Sequence, residues 1–181
     1  MASETVNPAP LVIERLDKSV HDRMDFDCGE PELNDYLRFT ARQHADKGYA
    51  QVWVAVAEPG AVQVFGYYAL SMTSLAPGEL PRRTAVKKVP ALLLGKLAVD
   101  KRCQGQSVGV RLLMDAQRSA LLVSRQVGVY ALVVDALNDR AAAFYRKYGF
   151  EELTTGPRHL FKTIKEIERM GLFASANLPE A

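Results

Sequence analysis

Residues 104–109, Gln-Gly-Gln-Ser-Val-Gly, form a small, polar run between two apolar segments. Upstream lies Leu92-Leu93-Leu94-Gly95-Lys96-Leu97-Ala98-Val99, which reads as a strand. Downstream, Val108, Leu112, Leu113, Ala116 and Ala120 recur at the spacing of one buried helical face, starting near Ser107. A small-residue turn that opens a helix leaves several backbone N–H groups pointing outward without internal partners. The helix dipole adds partial positive charge there, so the junction suits a phosphate. Spacing narrows the guest. Neither Gly-x-Gly-x-x-Gly with a downstream acid nor Gly-x-x-x-x-Gly-Lys-Ser/Thr is present. A turn of this kind is also an ordinary connection, and both readings stand at this point.

A second group of residues bears on the choice. Residues 138–150 read Asn-Asp-Arg-Ala-Ala-Ala-Phe-Tyr-Arg-Lys-Tyr-Gly-Phe, directly after an apolar strand spanning Val129 to Ala136. Asn138 is placed to cap a helix, and Gly149 to end it in a left-handed turn. Tyr145 carries a phenol with a reference pKa near ~10, protonated at neutral pH and able to donate. Its competing reading is a core aromatic sharing a face with Ala141, Phe144 and Tyr148.

The remaining elements form a frame for these two junctions. Leu11 to Leu16 reads as a first strand. A helix begins at Cys28-Gly29-Glu30-Pro31 and runs to about Lys47, with Leu33, Leu37, Thr40, Ala41 and His44 on one side. Gln51 to Ala57 and Gln63 to Leu75 make a hairpin across Glu58-Pro59-Gly60-Ala61. Ala76 to Pro90 is a Pro- and charge-rich connection. Phe150 to Thr154 and Arg158 to Ile164 form a closing strand pair. The order implies a mixed α/β sheet, an antiparallel meander followed by a right-handed crossover into a parallel neighbour.

Composition excludes several classes. At 181 residues, with 48% hydrophobic and 24% charged content, the chain has the make-up of one soluble globular domain. That domain is expected over residues 11–170, with irregular tails at 1–10 and 171–181. The first ten residues lack the basic and apolar regions of a secretion signal, and no apolar run reaches the ~20 residues that cross a bilayer. A cytoplasmic location is expected. Cys28 and Cys103 read as reduced thiols; no Cys–His signature surrounds Cys103 to make it a nucleophile. His21, His44 and His159 show no metal-ligand spacing, so no metal is expected. A net charge of +2 does not by itself announce nucleic acid.

The two junctions together resemble the GNAT superfamily of N-acetyltransferases. Its acetyl-coenzyme A loop reads Gln/Arg-x-x-Gly-x-Gly/Ala; Gln104 and Gly109 match its ends and Ser107 replaces its middle Gly. Its later motif, Asn-x-x-Ala-x-x-Phe-Tyr-x-x-x-Gly-Phe, is matched by residues 138–150. The resemblance implies a GNAT fold: a mixed, mostly antiparallel sheet with splayed central strands and flanking helices. It implies acetyl-CoA as co-substrate, held by Leu97, Ala98, Val99, Gln104, Gly105, Gln106, Ser107, Val108, Gly109, Val110, Asn138 and Phe144. It also implies Tyr145 as the acid that protonates the departing thiolate. Asp135 and Asp139 are base candidates only by neighbourhood.

Further blocks narrow the resemblance. Phe26-Asp27-Cys28-Gly29 through Leu33 and Tyr36-Leu37, then Gly66 to Ser71, Leu94 to Asp100 and Arg158 to Phe161, resemble GNAT toxins of type II toxin–antitoxin modules, the TacT- and AtaT-like group. That likeness implies acetylation of the α-amino group of aminoacyl-tRNA, which blocks translation. It also implies a homodimer, a ribbon–helix–helix antitoxin, and operator DNA bound through their complex. Arg38, Arg42, Arg82, Arg83, Lys87 and Lys88 are then the candidates for gripping tRNA phosphates; otherwise they are solvated surface charges. Two rivals share the fold: an enzyme for a small amine or protein N-terminus, and an inactive acetyl-CoA-binding module, which Ser107 keeps open.

Overall fold

The computed structural model describes residues 11–171. Strands β1 (Val12–Arg15), β2 (Gln51–Val56), β3 (Gly66–Leu75), β4 (Val89–Val99), β5 (Ala131–Asp135), β6 (Glu151–Leu153) and β7 (Gly156–Thr163) form one sheet in the order β1-β2-β3-β4-β5-β7-β6. β1 and β2, β2 and β3, β5 and β7, and β6 and β7 pair antiparallel. β4 and β5 pair parallel, Ala91–Leu94 against Ala131–Val134, and this ladder ends before Gly95 and Asp135. The mixed sheet expected from the sequence is therefore present.

By its contacts the chain divides into two compact units. Among the described residues, one comprises 11–71 with Lys96–Asp115, and the other comprises Met72–Gly95 with 116–171. The first has a core of Phe26, Leu37, Ala41, Val52, Val54, Val56, Tyr67 and Ala98. Every second residue of β2 enters it, the period of a half-buried strand. Trp53 stacks on Tyr68 across the β2–β3 pair, ring centroids 5.0 Å apart. The expected strand from Gln63 is shorter, because Gln63 bridges to Asp22 and β3 begins only at Gly66.

The expected helix over residues 31–47 consists of α1 (Pro31–Asp35), a wide π turn (Tyr36–Thr40) and α2 (Ala41–Asp46). The Ala41 amide reaches back to the Tyr36 carbonyl. Side chains from outside the helix enter the ladder here: the Tyr67 hydroxyl donates to the Leu33 carbonyl at 2.7 Å, and Arg23 Nη1 donates to the Arg38 carbonyl at 3.3 Å. An inserted donor of that kind is a recognised cause of a widened turn.

Helix α3 (Val108–Ser124) buries Val108, Leu112, Leu113, Ala116 and Ala120, the stripe read from the sequence. Its first turns settle onto β3 at Gly66. A Cβ there would lie 2.8 Å from Leu112 Cδ1 and 2.9 Å from the Ala98 carbonyl oxygen, so only glycine admits the helix.

The second unit has a core of Leu75, Leu80, Val89, Ala91, Ala131, Val133, Leu153 and Phe161. It also holds α4 (Asp139–Lys147) and α5 (Ile164–Arg169). Helix α5 has no counterpart in the sequence reading, although Thr163 and Glu166 form a capping box around its start.

Candidate functional site

The loop after β4 is built around a buried carboxylate. Asp100 is 1% exposed and accepts from the Asp27 amide at 3.1 Å, the Arg102 amide at 2.9 Å, and Arg102 Nε and Nη2 at 2.8 Å each. Burial alone would raise its pKa, but these hydrogen bonds outweigh burial and leave it below the ordinary carboxylate value. Asp27 is held at about 2, first by a hydrogen bond from Lys101, then by the Gly29 amide and Asn34. Asn34 also accepts from the Cys28 amide at 2.9 Å, and the Lys101 amide donates to the Asp27 carbonyl at 2.8 Å. The Asp27-Cys28-Gly29 block thus acts as a brace for the end of β4.

Gln104 completes the brace. Its Nε2 donates to the Cys28 carbonyl at 2.9 Å and the Val99 carbonyl at 3.0 Å. Expected among the cofactor contacts, this side chain is instead engaged with the backbone on either side of the loop. Gln106 Nε2 likewise donates to the Arg102 carbonyl at 3.1 Å. With the side chains turned back, the backbone is what the loop presents. Among the described residues, none of the amides from Gln104 to Val110 has a well-aligned carbonyl partner. A run of such N–H groups at the start of a 17-residue helix has the chemistry of an anion cradle.

Two residues of the cradle are left-handed, Gly105 at φ +77° and Ser107 at φ +62°. The Ser107 carbonyl accepts the first helical bond, from the Arg111 amide at 3.1 Å. Its hydroxyl has no hydrogen-bond partner among the described residues. The cap role read for Ser107 is therefore limited to its backbone, since side-chain capping requires an extended conformation. The Ala98 side chain is buried in the core, while Leu97 and Val99 are half-buried and Gly109 and Val110 partly accessible.

In the other unit, Asn138 caps α4, its Oδ1 accepting from the Ala141 amide at 2.9 Å. Tyr145 is 7% exposed, its ring 5.4 Å from Phe144 and 5.6 Å from Phe150. The buried face of α4 is Ala142 and Tyr145, not the expected Ala141, Phe144 and Tyr148, which are half-buried. Burial pushes the Tyr145 phenol above its ordinary pKa, so it keeps its proton throughout the neutral range. Its hydroxyl has no partner among the described residues.

A strand-to-helix anion cradle and a protonated tyrosine on a later helix are the two features by which comparison can decide. Residues 48–152 match the family model for the acetyltransferase (GNAT) domain. The chain belongs to the GNAT acetyltransferase family. A tRNA-acetylating toxin of Mycobacterium tuberculosis is 37% identical over 148 residues, covering 80% of this chain and 87% of that one. A solved structure of AtaT complexed with acetyl-methionyl-tRNAfMet is 31% identical with a TM-score of 0.83, over 90% of this chain and 99% of that one. An AtaT tyrosine-to-phenylalanine mutant bound to acetyl-CoA and the C-terminus of the antitoxin AtaR is 30% identical. Its TM-score is 0.78, over 90% of this chain and 98% of that one.

The other candidates in this acetyltransferase fall out as follows. Arg38 turns inward, donating to the Phe26 carbonyl at 2.6 Å, and Arg42 pairs with Asp46 at 3.5 Å. Arg82 pairs with Glu151 at 3.2 Å. Arg83, Lys87 and Lys88 are exposed and have no ion pair among the described residues. Asp135 pairs with His159 at 2.8 Å and Asp139 with Arg158 at 2.9 Å. His21 is buried between Glu14 and the Asp17 amide, and His44 packs against Tyr36 and Tyr49. Both cysteines are buried and free, and burial raises both thiols, which removes the thiolate a nucleophile needs. Among the described residues no group of His, Cys, Asp or Glu is arranged to hold a metal, and no helix is long and apolar enough to cross a membrane. The sequence reading missed Asp100 as the organiser of the loop and Gly66 as its seat; a lone Gly at the head of a strand was the available signal.

Proposed function

We propose that this GNAT enzyme is the toxin of a type II toxin–antitoxin module, transferring acetyl from acetyl-CoA to the α-amino group of aminoacyl-tRNA. One observation carries the reading: the free amides from Gln104 to Val110, on a chain related to a tRNA-acetylating toxin and to AtaT with its acetylated tRNA. The residues fit the co-substrate. The amides suit its pyrophosphate, and the strand end Leu97–Val99 would take its pantetheine arm. Acetyl-CoA supplies an activated acetyl thioester.

This chain's own groups would do the rest. Tyr145 holds a proton for the leaving thiolate, and an amide near Val99 would polarise the acetyl carbonyl. An α-amine titrates near ~8, so a usable fraction is neutral at physiological pH and no dedicated base is required. Asp139 is ion-paired with Arg158 and Asp135 is hydrogen-bonded to His159, so neither carboxylate is free to serve as that base. Of the six candidate cations, Arg83, Lys87 and Lys88 are the ones without an ion pair among the described residues; Arg38, Arg42 and Arg82 have protein partners to give up before they meet phosphates. Asn138 and Phe144 remain cofactor contacts in this reading, Asn138 through the side-chain atom its cap leaves over. A ribbon–helix–helix antitoxin, a homodimer, operator DNA reached through the toxin–antitoxin complex, and a cytoplasmic setting belong to the same proposal. The inactive-module alternative rested on Ser107, and the cradle forms with Ser107 in place.

The test is growth. Induced wild-type protein is expected to arrest translation, and the Tyr145→Phe variant to leave growth normal. Unimpaired growth with the wild type, alongside acetylation of polyamines or peptides, would move the assignment to a small-amine enzyme.

A further inference from the structure

Lys162 is a buried cation that the proposed chemistry leaves unused. It lies on β7 opposite Leu132 and is 5% exposed. Its Nζ donates to the Tyr148 carbonyl at 2.8 Å, reaches Met170 Sδ and lies 5.8 Å from the centre of the Phe150 ring. Glu166, the one carboxylate among the described residues that acts on it, is engaged by the Thr163 amide and hydroxyl. Burial lowers the ammonium's pKa, as expected for a charge stabilised mainly by carbonyl and ring. For filling space alone, an apolar chain of similar length would serve as well or better.

What Lys162 touches is the end of α4. Tyr148 closes that helix, and a cation there meets the negative end of the helix dipole. The Tyr145 carbonyl receives both the Tyr148 amide at 3.0 Å and the Phe150 amide at 3.2 Å. Between them Gly149 turns at φ +85°, and a Cβ on it would meet Lys162 Nζ at 3.4 Å. The turn that anchors Tyr145's backbone, and the Phe150 ring that packs on its phenol, are therefore both held from below by one ammonium.

We infer that Lys162 is a positioning residue for Tyr145, its ammonium clamping the last turn of α4 so that the phenol keeps its place on that helix. This rests on the assignment of Tyr145 as the acid proposed above. The mechanism has a signature that packing lacks. A small misplacement of an acting group lowers turnover strongly, whereas replacing a desolvated charge by an apolar chain of similar length is often near neutral for the fold.

The experiment compares wild type, Lys162→Met, Lys162→Gln and Tyr145→Phe, using labelled acetyl-CoA, charged tRNA and thermal melts. Lys162→Met is expected to lower kcat at least about tenfold, with KM for acetyl-CoA within about twofold and Tm unchanged or raised. Lys162→Gln, which keeps a donor without the charge, is expected to recover part of the loss. A Lys162→Met kcat within twofold of wild type overturns the inference, as does a loss that follows a fall in Tm. If Lys162→Met does not fold, Lys162→Gln decides by the same kcat and Tm criteria. Full turnover by Tyr145→Phe would instead defeat the acid assignment, and this inference with it. Inactive Tyr145→Phe with normal Lys162→Met defeats the inference alone.

Discussion

Ser107 holds φ +62° in a loop where the family pattern carries glycine, a conformation costing a side-chain-bearing residue about 1–2 kcal/mol. Ser107→Gly removes that cost but adds chain entropy to the unfolded state, about 0.5–1 kcal/mol. The expected net effect is a small rise in stability, a few degrees at most in a calorimetric melt, with acetyl-CoA affinity preserved or improved. The carboxylates beneath the loop set its acid limit. Asp27 titrates at about 2 in the folded protein, against ~3.9 for an unperturbed aspartate. A depressed carboxylate contributes fully above its unfolded value, and the contribution disappears as pH falls through the folded value. Asp100 acts in the same direction. Melting temperature is therefore expected to fall between about pH 4 and pH 2, and Asp27→Asn to flatten that slope.

Helix α3 can present its free amides only because β3 offers it glycine at position 66. Gly66→Ala would press a methyl against the Ala98 backbone, which cannot turn aside as a side chain can. Overpacking of this kind costs about 1–3 kcal/mol, and the helix start that bears the cradle is what must move. Lower stability together with weaker acetyl-CoA binding by calorimetry is the expected result. Thr163→Ala, which deletes the α5 capping box, is expected to cost about 1 kcal/mol in chemical denaturation while leaving that binding intact. The legibility of such elements followed from their physics. The α3 stripe, the β2 alternation and the Asn138 cap are local patterns, and each was readable from neighbouring residues. The π turn was not, because the side chains that donate into it come from far along the chain: Tyr67 is 34 residues from the carbonyl it bonds, and Arg23 is 15 from its own. Tyr145 is on the buried face of α4, as its packing reading has it, but its companion there is Ala142 and not Ala141, Phe144 or Tyr148, because α4 packs against β7, which lies downstream. The motif points to Gln104 as a cofactor contact, but the bond of its side chain to the Cys28 carbonyl was not legible, because that partner lies 76 residues upstream.

At the scale of the whole molecule, a net charge of +2 gave little hint of a polyanionic partner. Local distribution says more: Arg83, Lys87 and Lys88 are exposed and have no ion pair among the described residues, while the other three candidate cations, Arg38, Arg42 and Arg82, have protein partners. If these three meet tRNA phosphates, changing them to Glu is expected to weaken tRNA binding. The slope of log affinity against log salt would fall by about 0.7–0.9 per lost contact, with acetyl-CoA binding unchanged. The most direct test of the account is label transfer. Purified protein is incubated with charged tRNA and acetyl-labelled coenzyme A, and the label is sought on the aminoacyl group. The account predicts label on the α-amine with the wild type, and a loss of about a hundredfold or more in rate with Tyr145→Phe. Label confined to free amines, or transferred equally by the phenylalanine variant, would contradict it.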